Sequence, residues 1–209
     1  MARRTVLLSV DGSLLVELDS PERAYAAYRL GKDYSPLTVP PEALLVDAVG
    51  HDGRGPYFYR PAVVEAVRAS AHAGVDIVWN TRWLTNPMQL ELLAQIVGLA
   101  GAVRIPDGSE LPVSPTSDRV DHAPNVLWEH WKLRALVERA RHLPAGAELV
   151  VVDTELDMVS PRIPHGVARR ARRDDIRLGG IMPVGTRGLD DVAARSLREW
   201  ATGGDIPRI

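Results

Sequence analysis

Four short apolar runs, each closed by polar residues, constrain this chain more than any other feature. They are Thr5–Val10, Val75–Trp79, Glu148–Val152 and Ile181–Val184, all rich in β-branched residues. Each is too short for a buried helix and reads as a strand covered on both faces. Segments with helical apolar spacing lie between them. One opens at Arg60-Pro61 and runs to about Ala73 through Val63, Val64, Val67 and Ala71, with Gly74 ending it. A second starts at Asn86-Pro87 and passes through Leu90, Leu93, Ile96 and Val97. Two more span Trp128–Arg141 and Leu189–Trp200. Strands alternating with helices at this spacing predict a mainly parallel α/β sheet.

The remaining segments are irregular. Ser20 and Pro21 cap a short helix expected over residues 21–30. Residues 31–60 hold Pro36, Pro40, Pro41 and Pro56 with Gly50, Gly53 and Gly55. They are expected to form a small flap, with a hairpin around Leu44–Val46 and Tyr57–Tyr59. Residues 104–125, with Pro106, Pro112, Pro115 and Pro124, read as a long loop. The expected architecture is one Rossmann-like, three-layer α/β/α domain over residues 1–209, carrying a small insert at 15–60.

Composition excludes several function classes. The absence of cysteine removes disulfides, cysteine nucleophiles and thiolate metal sites. With 25 Lys and Arg against 27 Asp and Glu, the net charge is -2, too low for a nucleic-acid-binding field over the whole molecule. No stretch approaches the roughly 18 apolar residues of a membrane span. The apolar start is broken at Ser9 and Asp11-Gly12, too early for a signal peptide. A cytoplasmic protein with no membrane partner is expected. The six histidines show no metal-ligand spacing.

In a parallel sheet, ligands bind beyond the carboxyl ends of the strands. There the sequence places Ser9-Val10-Asp11-Gly12 after the first run and Asn80-Thr81-Arg82-Trp83 after the second. Asp153-Thr154-Glu155-Leu156-Asp157 follows the third, and Trp131-Lys132 opens the helix before it. Carboxylates suit a hard cation, while a hydroxyl and an ammonium suit phosphate oxygens. Only Lys32 and Lys132 are lysine in this arginine-rich chain, so Lys132 stands out. Read alone, Asp11-Gly12 is a turn, Thr81 a helix cap and Lys132 a solvated side chain; the ordered set points to one site. Trp79, Trp83, Trp128 and Trp131 are expected to pack around it rather than stack on bases. Arg169, Arg170, Arg172 and Arg173, with Arg177, read as a solvated helix face, the alternative being contact with nucleic acid or a phosphorylated partner.

In order and spacing, the chain resembles the haloacid dehalogenase-like superfamily of phosphotransferases over residues 5–201. The matching stretches are Ser9–Leu14, Ile77–Thr81, Lys132 and Val151–Asp157. It looks closest to a small-capped bacterial branch associated with RNA-repair proteins. Trp79–Trp83, Trp131-Lys132, Val152–Glu155 and Gly188–Asp190 carry that likeness. The resemblance implies phosphoryl transfer through an aspartyl phosphate. Asp11 would be the general acid/base, and Thr81 and Lys132 would hold phosphate. Asp11, Asp153 and Asp157 would be the Mg2+ ligands.

The chain departs from that pattern at Ser9, where the family has its nucleophilic, metal-binding aspartate, and at Thr154, where it has a second acid. A serine hydroxyl has no standing charge and needs a base to become a nucleophile. Asp157 could substitute for the lost acid. Weak or absent Mg2+ binding is therefore expected. The leading expectation is a phosphatase-fold protein with impaired or lost phospho-aspartyl chemistry, serving in binding or regulation. A second reading is an active Mg2+-dependent phosphohydrolase using Asp11 and Asp153 on a phosphate ester or nucleic-acid end. A third, an introduced Ser9 in an active phosphatase, is disfavoured because serine is not the usual isosteric replacement for aspartate. A phosphorylated small molecule, a nucleic-acid end and a protein all remain open as partners.

Overall fold

A computed structural model describes residues 2–17, 42–46, 57–107, 110, 131–154, 163–183 and 188–207. Its centre is a four-stranded parallel sheet of β1 (Arg4–Leu8), β5 (Asp76–Trp79), β6 (Glu148–Val152) and β7 (Arg177–Ile181), in the order β5-β1-β6-β7. A smaller antiparallel sheet holds β2 (Val16–Glu17), β3 (Leu44–Val46) and β4 (Tyr57–Tyr59), in the order β2-β4-β3. The described helices are α1 (Pro61–His72), α2 (Pro87–Ile96), α3 (Trp131–His142), α4 (Ile163–Ala171) and α5 (Asp191–Ala201), with a 3-10 turn at Arg82–Thr85.

Alternation along each strand splits the core in two. Val6, Leu8, Ile77, Trp79, Val150 and Val152 face a cluster with α1, α2 and α5, through Val63, Val67, Leu90, Leu93, Leu197 and Trp200. Leu7, Val78, Leu149 and Val151 face the opposite cluster with Leu133, Leu136 and Ala140 of α3 and Val167 and Ala171 of α4. Helices thus cover both faces of a parallel sheet, a Rossmann-like arrangement.

Sequence and structure differ at several boundaries. The first strand stops at Leu8 rather than Val10, because the Val10 carbonyl already accepts the N–H groups of Ser13, Leu14 and Leu15. The last strand is Arg177–Ile181, not Ile181–Val184. Its Gly179-Gly180 masks the strand signal, and Gly179 is there for clearance. A Cβ on Gly179 would meet the Pro207 carbonyl and the Ile206 side chain, where the tail covers this sheet edge and Gly180 N–H donates to Pro207 O at 3.1 Å. The final helix starts at Asp191, with Asp190 as its cap accepting from Ala193 N–H at 2.8 Å. Helix α2 buries Leu90, Leu93 and Ala94 but leaves Ile96 exposed, since the core touches only one side of it. β2 and α4 carry too few periodic apolar residues to be read from sequence. The hairpin pairing holds, with Leu44 opposite Tyr59 and Val46 opposite Tyr57. The helix expected at 21–30, most of the 104–125 loop, Trp128 and Val184 lie outside the described residues. Among the described residues no helix is long and apolar enough to cross a membrane.

Candidate phosphate site at the carboxyl edge of the sheet

β1, β5 and β6 run parallel, so all three deliver their following residues to one edge. The ladder continues one step past each strand. Ser9 N–H donates to Val152 O at 3.0 Å, Asn80 N–H to Leu8 O at 2.8 Å and Asp153 N–H to Ile181 O at 3.3 Å. Ser9 and Asp153 are thereby held by backbone bonds. They also flank the topological switch point. The chain leaves β1 toward α1 on one face, and leaves the adjacent β6 toward α4 on the other. In parallel sheets, such a point is where a ligand crevice is found.

Lys132, in the first turn of α3, reaches that crevice. Its Nζ lies 2.9 Å from Asp153 Oδ2 and donates to Ser9 Oγ at 3.4 Å. Asp153 is 2% exposed, so its carboxylate needs a compensating charge, which the ammonium supplies. Lys132 thus bridges the buried carboxylate and the Ser9 hydroxyl, donating to the latter.

Thr81 is buried and caps the 3-10 turn, accepting from Trp83 N–H at 3.4 Å. It therefore has the structural duty expected of a cap, while its hydroxyl proton remains to be donated. The sequence did not single out the side chain of Trp83 for contact with Asp11. Its indole Nε1–H donates to both carboxylate oxygens of Asp11, at 2.9 and 3.1 Å. A tryptophan two residues past the strand-end threonine is the signal that could have suggested it. Trp79 and Trp83 are buried packing residues, as expected.

The Asp11 loop is tight. Gly12 has φ +68°, and its N–H donates to Leu15 O at 2.8 Å. Gly188 (φ +66°) presses against Val16 Cγ2 and Ser13 O, and Leu189 N–H donates to Ser13 O at 2.9 Å. The Gly188–Asp190 stretch thus braces the loop bearing Asp11 and caps α5.

Ser9, Asp11, Thr81, Lys132 and Asp153 all follow or face the carboxyl ends of β1, β5 and β6. Glu155 and Asp157 lie outside the described residues. Two members of the arginine cluster are paired with acids. Arg169 and Arg170 are exposed on α4, Arg173 pairs with Asp175 at 3.0 Å, and Arg177 turns to Glu148.

No family model, curated protein or solved structure matches the chain. The arrangement at the sheet edge therefore has to be read from its own chemistry.

Proposed function

We propose that this protein is a phosphate-recognising member of the haloacid dehalogenase-like fold in which phospho-aspartyl chemistry is impaired or lost. The observation that carries the reading is the Ser9–Lys132–Asp153 contact at the switch point, 3.4 Å on one side of the ammonium and 2.9 Å on the other. An ammonium, a serine hydroxyl and a threonine hydroxyl form a donor set for phosphate oxygens. Ser9 accepts from the Lys132 ammonium, and a neutral hydroxyl needs a base before it can attack phosphorus.

The donors also fit a resident Mg2+ poorly. Ser9 offers a neutral oxygen, Asp153 is engaged by an ammonium, and Asp11 accepts an indole N–H through both oxygens. Among the described residues no group of three or more histidines and acids is arranged to hold a metal. No step of the proposal runs through a metal. The small antiparallel sheet is the flap of this reading. The ligand is a phosphorylated small molecule or a nucleic-acid end, and the role is binding or regulation.

Two measurements test this together. Calorimetry with inorganic phosphate is expected to show binding that Thr81→Val weakens and Lys132→Met abolishes. With Mg2+ and an aryl phosphate, wild type is expected to stay far below the roughly 1 to 1,000 turnovers per second of ordinary enzymes. Turnover in that range would establish an active hydrolase instead. Absence of phosphate binding by wild type would remove the recognition reading. Recovery of turnover in Ser9→Asp would show that the missing carboxylate is the main loss.

A further inference from the structure

We propose that Trp83 is a positioning residue, fixing the Asp11 carboxylate at the sheet edge and coupling it to the three-stranded sheet through Tyr57. The inference deepens the phosphate reading of the site, and its ligand arm rests on that reading. One residue joins the loops that follow β1 and β5. The backbone N–H of Trp83 bonds Thr81 Oγ1, and its side-chain Nε1–H bonds Asp11. The donor is well placed for this duty. Trp83 is 1% exposed, and its ring is locked by the surrounding core.

Asp11, by contrast, is exposed on a short loop, where an untethered aspartate would exchange rotamers. The N–H points between the two carboxylate oxygens, at 2.9 and 3.1 Å, so it sets the plane and direction of the group. A carboxylate accepts at about four positions. The shared N–H engages both oxygens at once. On its other side the indole meets the Tyr57 ring edge-on, with centroids 6.1 Å apart and planes at 65°. Tyr57 pairs with Glu17 and Val46 in the three-stranded sheet. The indole thus touches the Asp11 carboxylate on one side and the three-stranded sheet on the other.

The test is made on the intact chain with 15N-labelled tryptophan. Loss of one indole cross-peak in Trp83→Phe, which keeps a ring against Tyr57, assigns the Trp83 Nε1–H signal. In ligand-free protein, Asp11→Asn is expected to move that signal upfield further than any other indole signal. Tyr57→Leu is expected to move it as well, with the remaining indoles unchanged. A merely structural tryptophan would not respond to the charge of Asp11. A Trp83 signal indifferent to Asp11→Asn overturns the proposal, whatever the site binds. Indifference to Tyr57→Leu overturns the coupling.

Inorganic phosphate is then added to uniformly 15N-labelled wild type, and the Trp83 indole signal is expected to move with the Ser9 and Thr81 amides. Movement of those amides without the indole overturns the positioning role. Failure of all three to respond overturns the phosphate reading, and the Asp11→Asn result still decides whether Trp83 holds Asp11.

Discussion

Two buried carboxylates at opposite ends of β6 show how the chain handles charge. Asp153, past the carboxyl end, has the Lys132 ammonium. Glu148, at the amino end, is 3% exposed and accepts from Arg4 Nε at 3.0 Å, Trp200 Nε1 at 2.7 Å and Arg177. Arg4 also lies over the Trp200 ring, 5.8 Å from its centroid. Removing one partner of a buried ion pair costs about 3–5 kcal/mol, because the other charge is left uncompensated. Glu148→Ala is expected to lose stability in that range by urea denaturation, since two guanidiniums and an indole lose their acceptor. Lys132→Met is expected to destabilise similarly, whereas Lys132→Met/Asp153→Leu should recover much of the loss. A double variant no more stable than the single would show that Asp153 is not strained by losing its ammonium.

At the scale of elements, a single segment bonds to each outer strand of the parallel sheet among the described residues. Beside β5, Arg104 N–H donates to Ile77 O at 2.9 Å, and Trp79 N–H donates to Arg104 O at 3.0 Å. Beside β7, the tail at Ile206-Pro207 lies over Gly179 and Gly180. Covered edges offer no free template for pairing with another chain. A methyl group at Gly179 has no room unless the tail moves. Gly179→Ala is therefore expected to cost about 1–3 kcal/mol, the usual range for overpacking, and to leave residues 204–207 open to proteolysis. Unchanged stability and protection would mean that the tail adapts without loss. The N-cap of α2 gives a smaller effect. Asn86 Oδ1 accepts from Gln89 N–H at 3.4 Å, and Asn86→Ala is expected to lower stability by about 1 kcal/mol.

For the whole molecule, one charge network joins parts distant in sequence. Asp76 at the start of β5 is bonded by Arg104 at 2.7 and 3.0 Å, by Arg139 of α3 and by Arg3 before β1 at 3.5 Å. Glu110 completes it, paired with Arg104 and Arg139. Burial raises the Asp76 pKa, but the Arg104 hydrogen bonds and the charges of Arg104, Arg139 and Arg3 outweigh it, and the carboxyl titrates below its usual range. A depressed folded pKa stabilises the protein above the unfolded value of about 3.9. That contribution is lost as pH falls through the folded pKa. Denaturant midpoints measured down the acid range are expected to fall more steeply for wild type than for Asp76→Asn. Parallel curves would show that the network contributes nothing to acid stability.

What the sequence determined by itself was the α/β class, the three strands that carry the site, and the order in which Ser9, Asp11, Thr81, Lys132 and Asp153 reach one edge. Those features are local. A β-branched run writes its own strand, and parallel pairing then sends every strand end the same way. Tertiary structure alone decided the rest. Trp83 meets Asp11 across 72 positions, and Lys132 meets Ser9 across 123. Neither separation leaves a periodic trace. The last strand was misplaced because Gly179-Gly180 carries no apolar signal, and its reason for being glycine is a tail that arrives from 28 residues further on, at Pro207. Contacts of this kind depend on how finished elements pack, which no window of sequence contains.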